Sequence, residues 1–105
     1  MPFSGNELHD ISLNDASIIT KAYRDSAGAT AILGVFFGKT AISDIIGQKD
    51  CVGIRIYNAI KDGKLTFVIV GATADEEDMG GGNIAELGLP CPPYCPTDSV
   101  LNGTA

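Results

Sequence analysis

The sequence predicts an α+β fold: a two-layer single domain, with N-terminal helices packed on an antiparallel sheet that contains a hairpin of residues 52–60 and 65–72. Two observations carry this. Apolar residues recur at helical spacing before residue 47, and after it Val52–Ile60 alternates branched aliphatics with other residues. Asp62-Gly63 then separates that segment from a second aliphatic run, Leu65–Val70. The chain has 105 residues, 45% of them hydrophobic and 19% charged. That is near the commonest size for one domain and too apolar for disorder.

Residues 1–11 read as an irregular lead-in. Ser12-Leu13-Asn14-Asp15 has capping-box form, with Asp where Glu is preferred. Ala16, Ile19 and Tyr23 follow on one face, widened by Ile18 and Ala22, which predicts a helix over 13–25. Gly28 is placed to end it in a left-handed conformation. Residues 29–37 are too short a run for periodicity to separate helix from strand. Ile42, Ile45 and Ile46 predict a second helix over 40–46, capped by Thr40 and ended by Gly47, with Phe36 and Phe37 filling the core.

Asp-Gly favours a two-residue hairpin turn, because both residues tolerate positive φ. Such a turn makes partner numbers sum to 125. Ile60 then faces Leu65, Ile56 faces Ile69 and Ile54 faces Gly71 on the face expected to be dry. Arg55 faces Val70 and Tyr57 faces Val68 on the other. The return strand is apolar on both faces and is expected to lie centrally. Asp75-Glu76-Glu77-Asp78 and the glycines after it read as an exposed loop. Asn83-Ile84-Ala85-Glu86 has capping-box form and predicts one helical turn over 84–87. Residues 97–105 read as a flexible tail.

Several function classes lose support at this level. A net charge of −6, with Lys and Arg scattered singly, argues against nucleic acid and anionic membrane surfaces. No apolar run reaches the length needed to cross a bilayer, and the N-terminus has no signal-peptide pattern. Gly34–Thr40 is one residue short of a phosphate loop and carries two Phe inside it. Four adjacent acids cannot all face one calcium ion. His9 is the single histidine and sits in the irregular lead-in, so the catalytic inventory is poor and no catalytic residue or cofactor is assigned. The balance leans against an enzyme.

The candidate residues are therefore few. Arg55 and Tyr57 share a hairpin face. Arg55 is expected to reach an acid such as Asp78 or Glu86, or a tail carbonyl, with an anion-binding or small-molecule pocket at Arg55 and Tyr57 as the alternative. Cys51, Cys91 and Cys95 are thiol or metal candidates, and Tyr94 is a binding candidate between the last two. Three cysteines without a secretion pattern predict reduced thiols and a cytoplasmic setting. Leu89–Pro96 reads LPCPPYCP. In polyproline II its cysteines would stand about 12 Å apart, too far for a disulfide without a turn or cis proline. The expectation is an extended strap with Cys91 and Tyr94 facing inward. Its PxxP spacing lacks the flanking base of a peptide ligand.

VGIRIYNAI, LTFVIVGA, the acidic loop through Asp78 and ELGLPCPPYC together resemble a family of small uncharacterised bacterial proteins with VGIRIY-like and VIVG-like strands and a terminal CPPxC. The resemblance covers about residues 36–95 and implies a single soluble domain without an assigned catalytic residue. The leading expectation is a non-enzymatic module that binds a partner protein or a second copy of itself. The alternative is a thiol-redox or metal function at Cys91 and Cys95.

Overall fold

Ser12 caps the first helix as its sequence predicts: its Oγ accepts from the Asp15 amide at 3.0 Å. In the computed structural model, which describes residues 2–105, the elements run α1 (Leu13–Ala27), β1 (Gly34–Phe36), α2 (Lys39–Ile46), β2 (Cys51–Lys61), β3 (Lys64–Thr73), β4 (Ile84–Ala85) and β5 (Leu89–Cys91). The α+β class is as expected. The chain divides into two compact units. One comprises the residues up to Glu7 with Phe36–Leu89, the other Leu8–Val35 with Pro90–Ala105.

In the first unit, β2, β3 and β4 form an antiparallel sheet in that order. Asp62 and Gly63 take φ of 53° and 77°, the positive values a tight hairpin turn needs. The register matches the 125 sum: Ile60 pairs with Leu65, Ile56 with Ile69, Tyr57 with Val68 and Arg55 with Val70. A register shift falls only between Cys51 and Gly53. β3 is central, as its two apolar faces require, and Ile69, Val70 and Ala72 are buried. Ile45 of α2 is 1% exposed and completes this core.

The expected dry face is dry only at one end. Ile54, Ile56 and Ile60 are 38%, 57% and 79% exposed, and Leu65 is 37% exposed. The reason is length. β2 spans about 36 Å for its eleven residues, whereas the eight of α2 span about 12 Å. Beyond the end of α2, the Gln48 side chain packs close to Gly71. Phe36 is also not in the core, being 61% exposed. Thr40 is not the α2 cap: it lies inside the helix, and Gly38 takes the cap position without a side-chain bond.

The acidic stretch is only partly a solvated loop. Glu76 N donates to Thr73 O at 3.0 Å and Thr73 N to Glu77 O at 3.0 Å, closing a turn in which Glu76 has φ of 69°. The chain then runs back along β3 through an Ala72–Asp78 bridge and Met79 N to Gly71 O at 2.8 Å. That return continues into β4, where Ile84 pairs with Val70 and Ala85 with Ile69. The helical turn expected over 84–87 is therefore a strand. Sheet pairing to β3 overrides a local capping pattern too short to nucleate a helix.

In the second unit, α1 ends at Gly28, whose φ is 84° but whose ψ of 172° is extended, so the helix stops without the left-handed cap. α1 has no fully buried residue; Ile18 and Ile19 are 58% and 60% exposed. Leu33 N donates to Cys91 O at 2.7 Å. Residues 97–105 carry defined bonds: Asn102 Nδ2 donates to Pro96 O at 3.0 Å, and Arg24 Nη1 to Leu101 O at 2.8 Å. Among the described residues no helix is long and apolar enough to cross a membrane.

Candidate functional site

Pairing with Ala72 brings Asp78 onto the face that carries Arg55 and Tyr57. Its carboxylate accepts from the Arg55 guanidinium and from the Tyr57 hydroxyl. Arg55 Nη1 also donates to Glu76 O at 3.3 Å, and the guanidinium lies 5.6 Å from the Phe3 ring centre. Phe3 is held there by its own amide, which donates to Ala74 O at 2.9 Å. The Arg55 charge is thus met by an acid, a carbonyl and a ring face.

The electrostatics follow from these contacts. The Tyr57 hydroxyl, then Arg55, holds the Asp78 carboxyl below its ordinary range. The Asp78 carboxylate in turn raises Tyr57 and Arg55 above theirs. All three move away from neutrality, so none is poised as a general acid or base near pH 7. The cluster clamps the acidic turn to the hairpin. Of the acids expected for Arg55, Asp78 is the partner. Glu86 instead accepts from Lys61 Nζ and Thr66 Oγ1, each at 3.0 Å, and is lowered chiefly by Lys61.

The cysteines separate into two cases. Cys91 and Cys95 form a disulfide with Cα atoms 4.7 Å apart, which corrects the extended strap and the reduced thiols expected for these two. The segment is a turn: Tyr94 N donates to Pro90 O at 2.9 Å and Cys95 N to Pro93 O at 3.0 Å, with Cys91–Pro92 and Pro92–Pro93 both cis. Cys91 is buried as expected, but Tyr94 points outward, 60% exposed. Cys51 is a free thiol, half-buried, donating to Gly53 O at 3.1 Å. No group of three or more His, Cys, Asp and Glu side chains is arranged to hold a metal among the described residues.

Two further features belong to the sheet and its flank. A shallow apolar groove of about 480 Å³ is lined by Phe36, Phe37, Ile84, Leu87 and Leu89, with Glu86 at its side. The second is the outer edge of β2. In a two-residue hairpin the closing pair, here Lys61 with Lys64, exchanges both backbone bonds. Odd-numbered residues of β2 are therefore tied to β3. Ile54, Ile56, Asn58 and Ile60 turn their N–H and C=O groups outward, where no backbone bond from another described segment meets them. The alternation that gave the register could also have located this edge.

The chain matches no protein-family model, no curated protein and no solved structure.

Proposed function

We propose that this chain is a non-enzymatic protein-interaction module that accepts a partner strand along the edge of β2. The observation that carries the reading is the coincidence of outward ladder groups with the exposed row Ile54, Ile56 and Ile60. Main-chain groups of a free edge supply affinity, and alternate side chains supply selectivity. Monomers usually protect such an edge with charge, proline or cover. Here Arg55 and Lys61 are neutralised by Asp78 and Glu86, and nothing between Val52 and Ile60 is proline. A photo-reactive residue at position 58 is expected to give a protein adduct of defined mass in extract of the source cells. The same probe at Asp25, exposed on α1, serves as reference. Equal labelling from the two positions would remove the reading.

The Cys91–Cys95 bond favours a second reading, thiol–disulfide exchange, over metal binding at the same pair. An external dithiol would attack the half-buried Cys95 sulfur, release Cys91 as thiolate, and leave oxidised as the pair is reduced. Catalysed reduction of a protein disulfide by dithiothreitol, lost in Cys91→Ser/Cys95→Ser, is the test. The bond also weighs against the cytoplasmic setting, because disulfides persist mainly in oxidising compartments.

A further inference from the structure

We propose that the strand received at the β2 edge is β2 of a second copy of this chain, antiparallel about a two-fold axis at Tyr57. The inference rests on the edge-pairing reading above and names its partner. In a two-fold antiparallel pair, opposed residues share a face, so their numbers must sum to an even value. A sum of 110 would set Arg55 against Arg55 of the other copy. A sum of 116 would set Arg55 against Lys61. Each of these opposes two bulky, already paired cations, and sums further from the centre of β2 pair fewer of the four outward residues with one another, which leaves 112 and 114. A sum of 112 draws Val52 into the ladder. Val52 lies in the irregular stretch between Cys51 and Gly53, and its carbonyl faces Gly5, within 2.8 Å of where a Gly5 Cβ would stand. A sum of 114 uses only Gly53–Lys61, all in regular register.

In that arrangement Ile54 opposes Ile60 twice, Ile56 opposes Asn58 twice, and Tyr57 meets its own copy on the other face. Each of the four outward-facing residues exchanges backbone bonds with its opposite. The apolar row of one copy continues into that of the next, covering side chains that α2 is too short to reach. Charge favours this occupant over an ionic peptide. The two cations of β2 are already compensated within the chain, so the edge offers an apolar partner no repulsion and a charged one no handle. The remaining charge, −6 per copy, repels at long range, so salt should strengthen the pair.

Sedimentation equilibrium of the full chain, from micromolar to millimolar concentration at low and high salt, tests this. A dimer favoured by salt is expected. Asn58→Pro removes only an outward N–H and leaves the β3 ladder intact, so it should fold as before and weaken the dimer about tenfold or more. Ile60→Lys, at an exposed position, should do the same and guards against misfolding of the proline variant. A dimer that survives both substitutions, or that salt weakens, overturns the arrangement. A wild-type monomer at millimolar concentration overturns the second-copy partner. Amide exchange at Ile54, Ile56, Asn58 and Ile60 in that monomer then separates the two ideas: fast exchange leaves the free edge standing, and slow exchange removes it as well.

Discussion

Asp78 closes on Arg55 from 23 positions further along the chain and accepts a hydrogen bond from its Nη1. The pair is about one-third exposed on each side, so its weight in global stability is small. Its effect is local, on the acidic turn. Asp78→Asn should leave the melting temperature nearly unchanged while the amides of Thr73, Glu77 and Met79 exchange faster. Hydrogen exchange read by NMR checks this. Unchanged protection of those three amides would mean the sheet bridge, not the ion pair, holds the turn.

The same contacts set a pH dependence. Asp78 lies below its ordinary 3.8, through Tyr57 first, and Glu86 below 4.5, through Lys61 first. Glu7 lies below 4.5 as well, chiefly because the Ser4 amide donates to it. In each case the unfolded chain takes up protons before the folded one. Their stabilisation is present above the ordinary values and is lost as pH falls through the lowered ones. Tyr57 is the reverse: raised above 10.0, it contributes below that pH and loses its contribution as pH climbs through the raised value. Thermal melts across the acid range should show stability falling below about pH 5, while the gap in protection of the Thr73, Glu77 and Met79 amides between wild type and Asp78→Asn shrinks as pH drops. A gap independent of pH would rule out the ionised carboxylate as its cause.

The hairpin was legible because its signals are local and agree: Asp-Gly fixes the turn, the turn fixes the parity, and the aliphatics fit that parity. Arg55 was legible as a charge in want of an acid. Which acid answered depended on a chain reversal at Glu76, which an unbroken run of four acids does not announce. Asn83–Glu86 misled because a capping box is a local preference, while Ile84 and Ala85 answer to the open edge of β3. The exposure of Ile56 and Ile60 was hidden because alternation shows which face could be dry, not how far a neighbour extends over it. At Cys91–Cys95 the extended expectation failed because the segment folds back on itself, with Tyr94 N donating to Pro90 O, where proline composition alone suggests a polyproline II run.

Gly71 is buried and closely surrounded. An added Cβ would stand 3.0 Å from Cys51 Sγ and 3.1 Å from both Met79 Sδ and Gln48 Nε2. Three neighbours from different segments would have to yield together. Gly71→Ala should cost about 1–3 kcal/mol by overpacking. Gly34→Ala is the control, since nothing lies within 4 Å of its added Cβ. It should be neutral or slightly stabilising through the unfolded chain. Urea denaturation of the two variants decides the matter, and equal midpoints would show that the Gly71 contacts relax freely.

The Cys91–Cys95 bridge closes a short loop, with a sequence separation of 4. Loop-closure entropy for so few residues gives about 2 kcal/mol of stabilisation at room temperature. Reductant should therefore lower the denaturation midpoint of wild type by a measurable step. Cys91→Ala/Cys95→Ala should begin at a lower midpoint and ignore reductant. Cys51→Ser should keep the full reductant response, because Cys51 is the free thiol. Wild-type curves that coincide with and without reductant, while thiol titration shows the bond opened, would mean that the hydrogen bonds from Tyr94 N to Pro90 O and from Cys95 N to Pro93 O hold the turn without the bridge.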